Sequence, residues 1–95
     1  MQVEIITPEM EIFSGEAEAV QFPGLDGSFQ VLSNHAPVIS ALVEGDVKVD
    51  LVEGFKATEE TSPLVTTDGS DKVIRVSIKG GVMEMLNNKV IVLAE

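Results

Sequence analysis

Alternation of apolar and polar residues in short runs is the feature that most limits what this chain can fold into. The run VKVDLV at 47–52 places three apolar side chains on one side and Lys48 and Asp50 on the other, and VIRVSIK at 73–79 alternates in the same way. Side chains of a β-strand alternate with a period of two, so each run predicts a half-buried strand. No window of about 11 residues carries a convincing helical period.

Turn signals divide the chain about every ten residues, a spacing that is typical of an antiparallel sandwich or barrel. Ser14-Gly15 predicts a break between two strands, and Asn87-Asn88 predicts a tight hairpin because Asn tolerates positive φ. The predicted strands cover residues 2–6, 10–13, 16–22, 28–32, 38–42, 47–52, 73–79, 82–86 and 89–94.

One connection, at 53–72, is long and polar. Loops beyond about 12–15 residues are usually functional or disordered. Part of this connection can form a strand, because LVTT at 64–67 can pair with the following strand across Asp68-Gly69-Ser70. We therefore predict a true loop only at about 53–63.

Charge limits the partners of the chain. Its 95 residues carry a formal net charge of −10, with eight acids and no Lys or Arg in residues 1–47, and eight acids with all six bases in 48–95. Nucleic acid and anionic lipid are disfavoured, because both need a basic surface. The acids either keep the protein soluble or meet a basic partner. No apolar run approaches the ~18 residues of a membrane helix and no signal peptide begins the chain, so we expect a soluble protein inside the cell.

A lone histidine, His35, raises the question of chemistry. Ser28 and Ser40 lie near it in sequence, so a small Ser-His hydrolase is one hypothesis, although no Gly-x-Ser-x-Gly elbow is present. With one His and no Cys, zinc has too few ligands. We expect no catalytic residue, no cofactor and no metal. An acidic β-sandwich adaptor that binds another protein is a further alternative.

Three stretches, in this order, resemble the epsilon subunit of the F-type ATP synthase. The first is VEIITPEMEIFSGEAEAV at 3–20, which is similar to the first hairpin of that family. The second is PGLDGSFQVLSNHAPVISALVEGDV at 23–47, with its Pro-Gly, Asn-His-Ala-Pro and Gly. The third is IKGGVMEMLNNKVIVLAE at 78–95, which is similar to the Gly-Gly to Val-Leu-Ala ending of the family. Together the matching parts cover residues 2–52 and 73–95.

The resemblance implies a fold and a role. The fold is a flattened antiparallel β-sandwich, residues 1–95, with two sheets of about five strands each. The role is that of a non-catalytic central-stalk subunit, which fastens the gamma subunit to the c-ring and couples proton translocation to ATP synthesis. The resemblance places the protein at the cytoplasmic face of the bacterial inner membrane, peripherally, without membrane insertion or homo-oligomer.

The resemblance also implies which residues make contact. It places the c-ring interface on Asp26, Gly27, Ser28, Phe29 and Gln30, and the gamma interface on His35 and Ser40. Asn34 and Pro37 shape the turn between them. Phe29 supplies apolar area either to that interface or to the core, and His35 either touches gamma or holds the loop that does.

The chain departs from the family pattern at several points. Ser33 stands where the family has Pro, Lys79 where it has Ser, and Val82 where it has Phe. Residues 53–63 look inserted, either as a disordered excursion or as an extra contact. The family usually continues into two C-terminal helices; we expect no such hairpin within these 95 residues and assign none of its functions here.

Overall fold

The computed structural model describes all residues, 1–95, and forms strands without any helix. No segment is therefore a helix that could cross a membrane. The strands are β1 Gln2–Ile6, β2 Glu11–Gly24, β3 Gly27–Leu32, β4 Val38–Leu42, β5 Gly45–Leu51, β6 Val65–Thr67, β7 Val73–Ile78, β8 Gly81–Leu86 and β9 Lys89–Ala94. The predicted all-β class is confirmed.

The long strand β2 joins the two layers of the sandwich. Its first half pairs with β1, and its second half pairs with β3 on one side and β5 on the other. The first layer has the order β4-β8-β9-β1-β2, and the second has the order β3-β2-β5-β7-β6. Gly24, the last residue of β2, also pairs with Leu42 of β4, so all nine strands form one continuous hydrogen-bonded network.

Two details differ from the sequence prediction. Ser14-Gly15 is not a break, because β2 runs straight through it. The ring of Phe13 covers Gly15, where an added Cβ would lie 2.8 Å from Phe13 Cζ, so this glycine leaves room for an aromatic ring within a strand. In addition, β1 and β9 pair in parallel, whereas the other pairings are antiparallel.

Both hairpins that turn chemistry predicted are present. The β6 strand pairs with β7 across Asp68-Gly69-Ser70, and Gly69 has a φ of +77°. At the tip of β8 and β9, Asn87 and Asn88 have φ values of 51° and 58°. Two consecutive residues with positive φ match the twist of the flanking strands and fix their register.

The core contains 21 buried residues, contributed by the inward positions of both layers. The segment at 53–63 folds against this core. Phe55 lies with its ring centroid 6.2 Å from that of Phe13, and its backbone N–H donates to the Asp71 carbonyl at 2.7 Å. Ser62 is buried. The segment at 53–63 therefore adds packing to the domain.

Candidate functional site

The hairpin between β2 and β3 carries the residues expected at the c-ring. Leu25 and Asp26 form its two-residue turn, and Gly27 follows with a φ of +116° and open space where a Cβ would be. Asp26, Gly27, Ser28 and Gln30 are exposed. Phe29 is half-buried, with its ring 5.3 Å from that of Phe22, so it packs on the core. The hairpin thus presents a largely polar surface, with the carboxylate of Asp26 and the 69% exposed side chain of Leu25 at its tip.

The loop between β3 and β4 is held by a residue that is far away in the sequence. Asn34 has a φ of +67°, and the His35 N–H donates to the Leu32 carbonyl at 3.1 Å, which closes the turn. The Oδ1 atom of Asn88 accepts a 2.7 Å hydrogen bond from the Asn34 N–H and a 3.4 Å bond from the Ser33 hydroxyl. The β8–β9 hairpin therefore braces the loop.

His35 and Ser40 lie in different surroundings. His35 is exposed, and its Nδ1 donates to the Ala36 carbonyl at 2.7 Å. Ser40 is half-buried in β4, and its hydroxyl donates to the Ala41 carbonyl at 3.2 Å. Both polar side chains bond to backbone one residue away, which fits residues that hold local conformation. No group of three or more His, Cys, Asp or Glu side chains is placed to hold a metal ion.

Sequence reasoning missed an apolar surface on the outer side of the first layer. One row crosses four neighbouring strands, because Ala41 faces Val82, Val82 faces Leu93, and Leu93 faces Ile6. Val82 is 42% exposed and Leu93 is 54% exposed. The runs VISAL, VMEML and KVIVLA could have indicated this surface, because they carry apolar residues on both faces of the strand.

The same surface extends toward the β3–β4 loop. Ile39 is 71% exposed and Leu86 is 48% exposed, and both line a shallow groove of about 340 Å³ together with Pro37. We call the whole surface the apolar face. Its members are Ile6, Ile39, Ala41, Val82, Leu86 and Leu93.

The outer side of the second layer has the opposite character. A polar row crosses its five strands in the order Gln30, Gln21, Lys48, Arg75 and Thr66. Arg75 also pairs with Asp68 at 2.7 Å and with Asp46 at 3.9 Å. The outer side of the first layer is not free of charge, because Glu84 lies opposite Ile39, and Lys89 pairs with Glu4 at 3.4 Å. Its exposed apolar side chains nevertheless make the apolar face a candidate contact surface.

Comparison with known proteins agrees with the sequence resemblance. The whole chain, residues 1–95, matches the family model for the ATP synthase, Delta/Epsilon chain, beta-sandwich domain. The chain belongs to this family. The resemblance to the epsilon subunit is thereby confirmed, and the alternative of an unrelated adaptor falls away.

Curated members of the epsilon family extend the same match. The chain is 36% identical over 94 residues to the ATP synthase epsilon chain of Chlorobium limicola, covering 99% of this chain and 88% of the relative. It is 37% identical over 95 residues to that of Salinibacter ruber, with 58% of the relative covered. It is 33% identical over 95 residues to that of Brevibacillus brevis, with 59% covered. The chain therefore spans somewhat more than half of two of these epsilon chains and most of the third.

A solved structure shares the fold of this delta/epsilon domain. It is a chain from the central stalk and c-ring of the Tetrahymena thermophila mitochondrial ATP synthase, with a TM-score of 0.68 and 15% identity. The similarity covers 99% of this chain and 62% of that one. At this identity the likeness establishes the fold alone.

Proposed function

We propose that this chain is a non-catalytic rotor subunit in the central stalk of an ATP synthase. In this role it fastens the gamma subunit to the c-ring, so that proton-driven rotation of the ring reaches the catalytic subunits. It acts as a peripheral component at the cytoplasmic face of the bacterial inner membrane, with no cofactor of its own. Its family membership supports the assignment to the synthase.

The apolar face is the observation that carries the proposal. Six outward side chains on a well-packed sheet leave apolar area in water, which a permanent partner would cover. Gamma is that partner. Its contact extends from the row at Ile6 and Leu93 to the groove at Pro37 and on to His35 in the braced loop. Ser40 supports the contact from within β4, because its neighbours Ile39 and Ala41 point outward.

The polar hairpin is the second contact. Asp26, Gly27, Ser28 and Gln30 face the c-ring, whereas Phe29 anchors β3 to the core through Phe22. A partner with basic loops complements the carboxylate of Asp26 and the acidic first half of the chain.

Transmission of torque requires stiffness between the two contacts. The strand β2 runs for 14 residues between the layers and ends at the hairpin. Its register with β3 is unbroken from Ala19 to Gly24. The register of β2 with β5 shifts between Ala17 and Ala19, so the packed core and not one regular strand must carry a force from the hairpin to the apolar face.

Co-purification with one pair of variants tests the proposal. The tagged chain is mixed with gamma and the c-ring of its own synthase. Leu93→Asp places a carboxylate in the centre of the apolar face, and we expect loss of gamma. Thr66→Asp is the matched control, because Thr66 is also exposed on a strand but lies in the polar row of the other layer.

The possible outcomes separate the parts of the proposal. A wild-type chain that retains neither gamma nor the c-ring contradicts the rotor function. Retention of gamma by a folded Leu93→Asp variant at the wild-type level contradicts docking on the apolar face. Far-ultraviolet circular dichroism of each variant reports whether the strands remain intact.

A further inference from the structure

The strand β3 is an open edge of the second layer. It pairs with β2 and with no other strand. Its sequence, GSFQVL at 27–32, contains no charged residue, no proline and no bulge. Native proteins usually protect an edge strand with one of these features, because unpaired backbone groups are a template for another chain.

The register shows which backbone groups of β3 are free. The Ser33 N–H donates to the Glu18 carbonyl at 3.2 Å, so this pair is hydrogen-bonded across the ladder. Hydrogen-bonded and non-hydrogen-bonded pairs alternate in an antiparallel ladder. Val31 and Phe29 therefore bond to β2, whereas the backbone groups of Ser28, Gln30 and Leu32 point away from it. The Leu32 carbonyl is used by the His35 N–H, and the others face outward.

The remaining edges are shorter or closed. The strand β6 has three residues. The strand β4 is closed at one end, because the Leu25 N–H donates to the Ala41 carbonyl and the Val43 N–H donates to the Pro23 carbonyl. In the first half of β2, the Glu16 carbonyl accepts from the Val52 N–H. The first half of β2 also carries charged side chains, at Glu11 and Glu16, so β3 is the longest uncharged edge strand, and it lies next to the turn at Asp26.

Charge indicates the kind of segment that fits this edge. Asp26 lies at one end of β3, and Glu18 pairs with Ser33 at the other. Lys48 and Arg75 line a shallow groove with Ser28 on the exposed side of the layer, so the negative charge of this edge lies at the two ends of β3. An extended segment that carries positive charge at its ends complements this arrangement, whereas a second copy of this chain would place acid against acid.

We propose that the c-ring docks on β3 by strand addition, in which an extended, basic part of a c-ring polar loop pairs with the backbone of Ser28 and Gln30. This inference rests on the proposed function, since it specifies how the c-ring contact is made. Backbone groups supply the affinity in this mode of binding, and the side chains of Ser28 and Gln30 contribute little.

Proline substitution distinguishes the contribution of the Gln30 backbone N–H to binding from that of its side chain. Gln30→Pro removes an outward N–H, and an edge strand tolerates proline at such a position. We expect Gln30→Pro to weaken c-ring binding by about tenfold or more. The variant loses one hydrogen bond to the added strand, and the proline ring obstructs the neighbouring hydrogen bond. Gln30→Ala keeps the backbone N–H and removes only the side-chain amide, so we expect it to weaken binding much less than Gln30→Pro does.

Thr67→Pro is the matched control on the other edge of the same layer. The Ser77 N–H donates to the Leu64 carbonyl, so by alternation the Thr66 backbone faces β7 and the Thr67 N–H faces outward. This variant is expected to bind the c-ring like the wild type.

Hydrogen exchange of individual amides gives a second readout on the wild-type chain. In the free chain the amides of Ser28 and Gln30 exchange rapidly and those of Phe29 and Val31 slowly. Addition of the gamma–c-ring complex is expected to protect the amides of Ser28 and Gln30. If the ring binds but these amides remain unprotected, or if Gln30→Pro binds like Gln30→Ala, strand addition is wrong while the rotor function stands. If the wild-type chain does not bind the ring at all, the rotor function itself fails.

Discussion

The side-chain oxygen of Asn88 accepts a 2.7 Å hydrogen bond from the backbone N–H of Asn34, and so joins two turns that lie 54 positions apart in sequence. Both residues have positive φ. Asn88 shapes its own hairpin through its backbone and holds the neighbouring loop through its side chain. The loop that carries His35 and Pro37 is therefore positioned by the β8–β9 hairpin.

Replacement of Asn88 by glycine tests this brace. Asn88→Gly keeps the positive φ accessible and removes only the side chain. We expect a loss of about 0.5–1.5 kcal/mol in the free energy of unfolding, measured in denaturant, because the hydrogen bond to Asn34 is lost. Asn87→Gly is the control, since Asn87 has the same backbone preference and no side-chain hydrogen bond in the structure. Equal effects of the two variants would show that the brace contributes nothing.

The sequence alone predicted those parts of the fold that depend on neighbouring residues. Alternation located the strands, and Asp68-Gly69-Ser70 and Asn87-Asn88 identified two hairpins. The break assigned to Ser14-Gly15 was wrong because Ser and Gly are turn residues locally, whereas the deciding contact is the Phe13 ring across Gly15. The parallel pairing of β1 with β9 brings the two ends of the chain together, and no local pattern encodes it.

The candidate site was less accessible to sequence reasoning. The resemblance predicted contacts at the hairpin of Asp26 and the loop of His35, and both stay predictions. The apolar face depends on the pairing of β1, β4, β8 and β9, which places one apolar residue from each strand in a single row. The brace from Asn88 likewise depends on two loops that meet only in the folded sandwich. Contacts of this kind depend on topology, which composition and spacing do not determine.

Gly81 is expected to be among the most sensitive glycines in the chain. Its φ is +145°, and an added Cβ would collide with the carbonyl oxygen of Leu93 across the β8–β9 ladder. We expect Gly81→Ala to lower the free energy of unfolding by about 3 kcal/mol, from backbone strain together with overpacking.

The control for Gly81 is Gly69→Ala. Gly69 also has positive φ, at +77°, but it has open space around the Cβ position. Only the backbone strain of alanine at positive φ applies there, so the expected loss in the free energy of unfolding is about 1 kcal/mol. Similar losses in thermal or denaturant unfolding of both variants would show that the Leu93 contact does not matter.

Phe55 is expected to make the 53–63 segment part of the stable domain. Its half-buried ring lies against Phe13. Phe55→Ala should destabilise the protein by about 1–3 kcal/mol, through lost burial and the lost aromatic contact. Lys56→Ala, at an exposed neighbouring position, should have almost no effect. If removal of the Phe55 ring leaves the unfolding midpoint unchanged, the segment does not contribute to the stability of the domain.

Salt should weaken association of this chain with the gamma–c-ring complex. Asp26 places a carboxylate at the tip of the hairpin, and Glu18 lies opposite Ser33 at the other end of β3. A basic partner is attracted less strongly once ions screen these charges. Raising NaCl from about 0.05 M to about 0.5 M shortens the screening length from about 14 Å to about 4 Å, and we expect affinity to fall by about tenfold. Asp26→Asn should make this dependence less steep, whereas Glu59→Gln, in the 53–63 segment, should leave it unchanged. An affinity that is independent of salt would place the acidic half of the chain away from the partner.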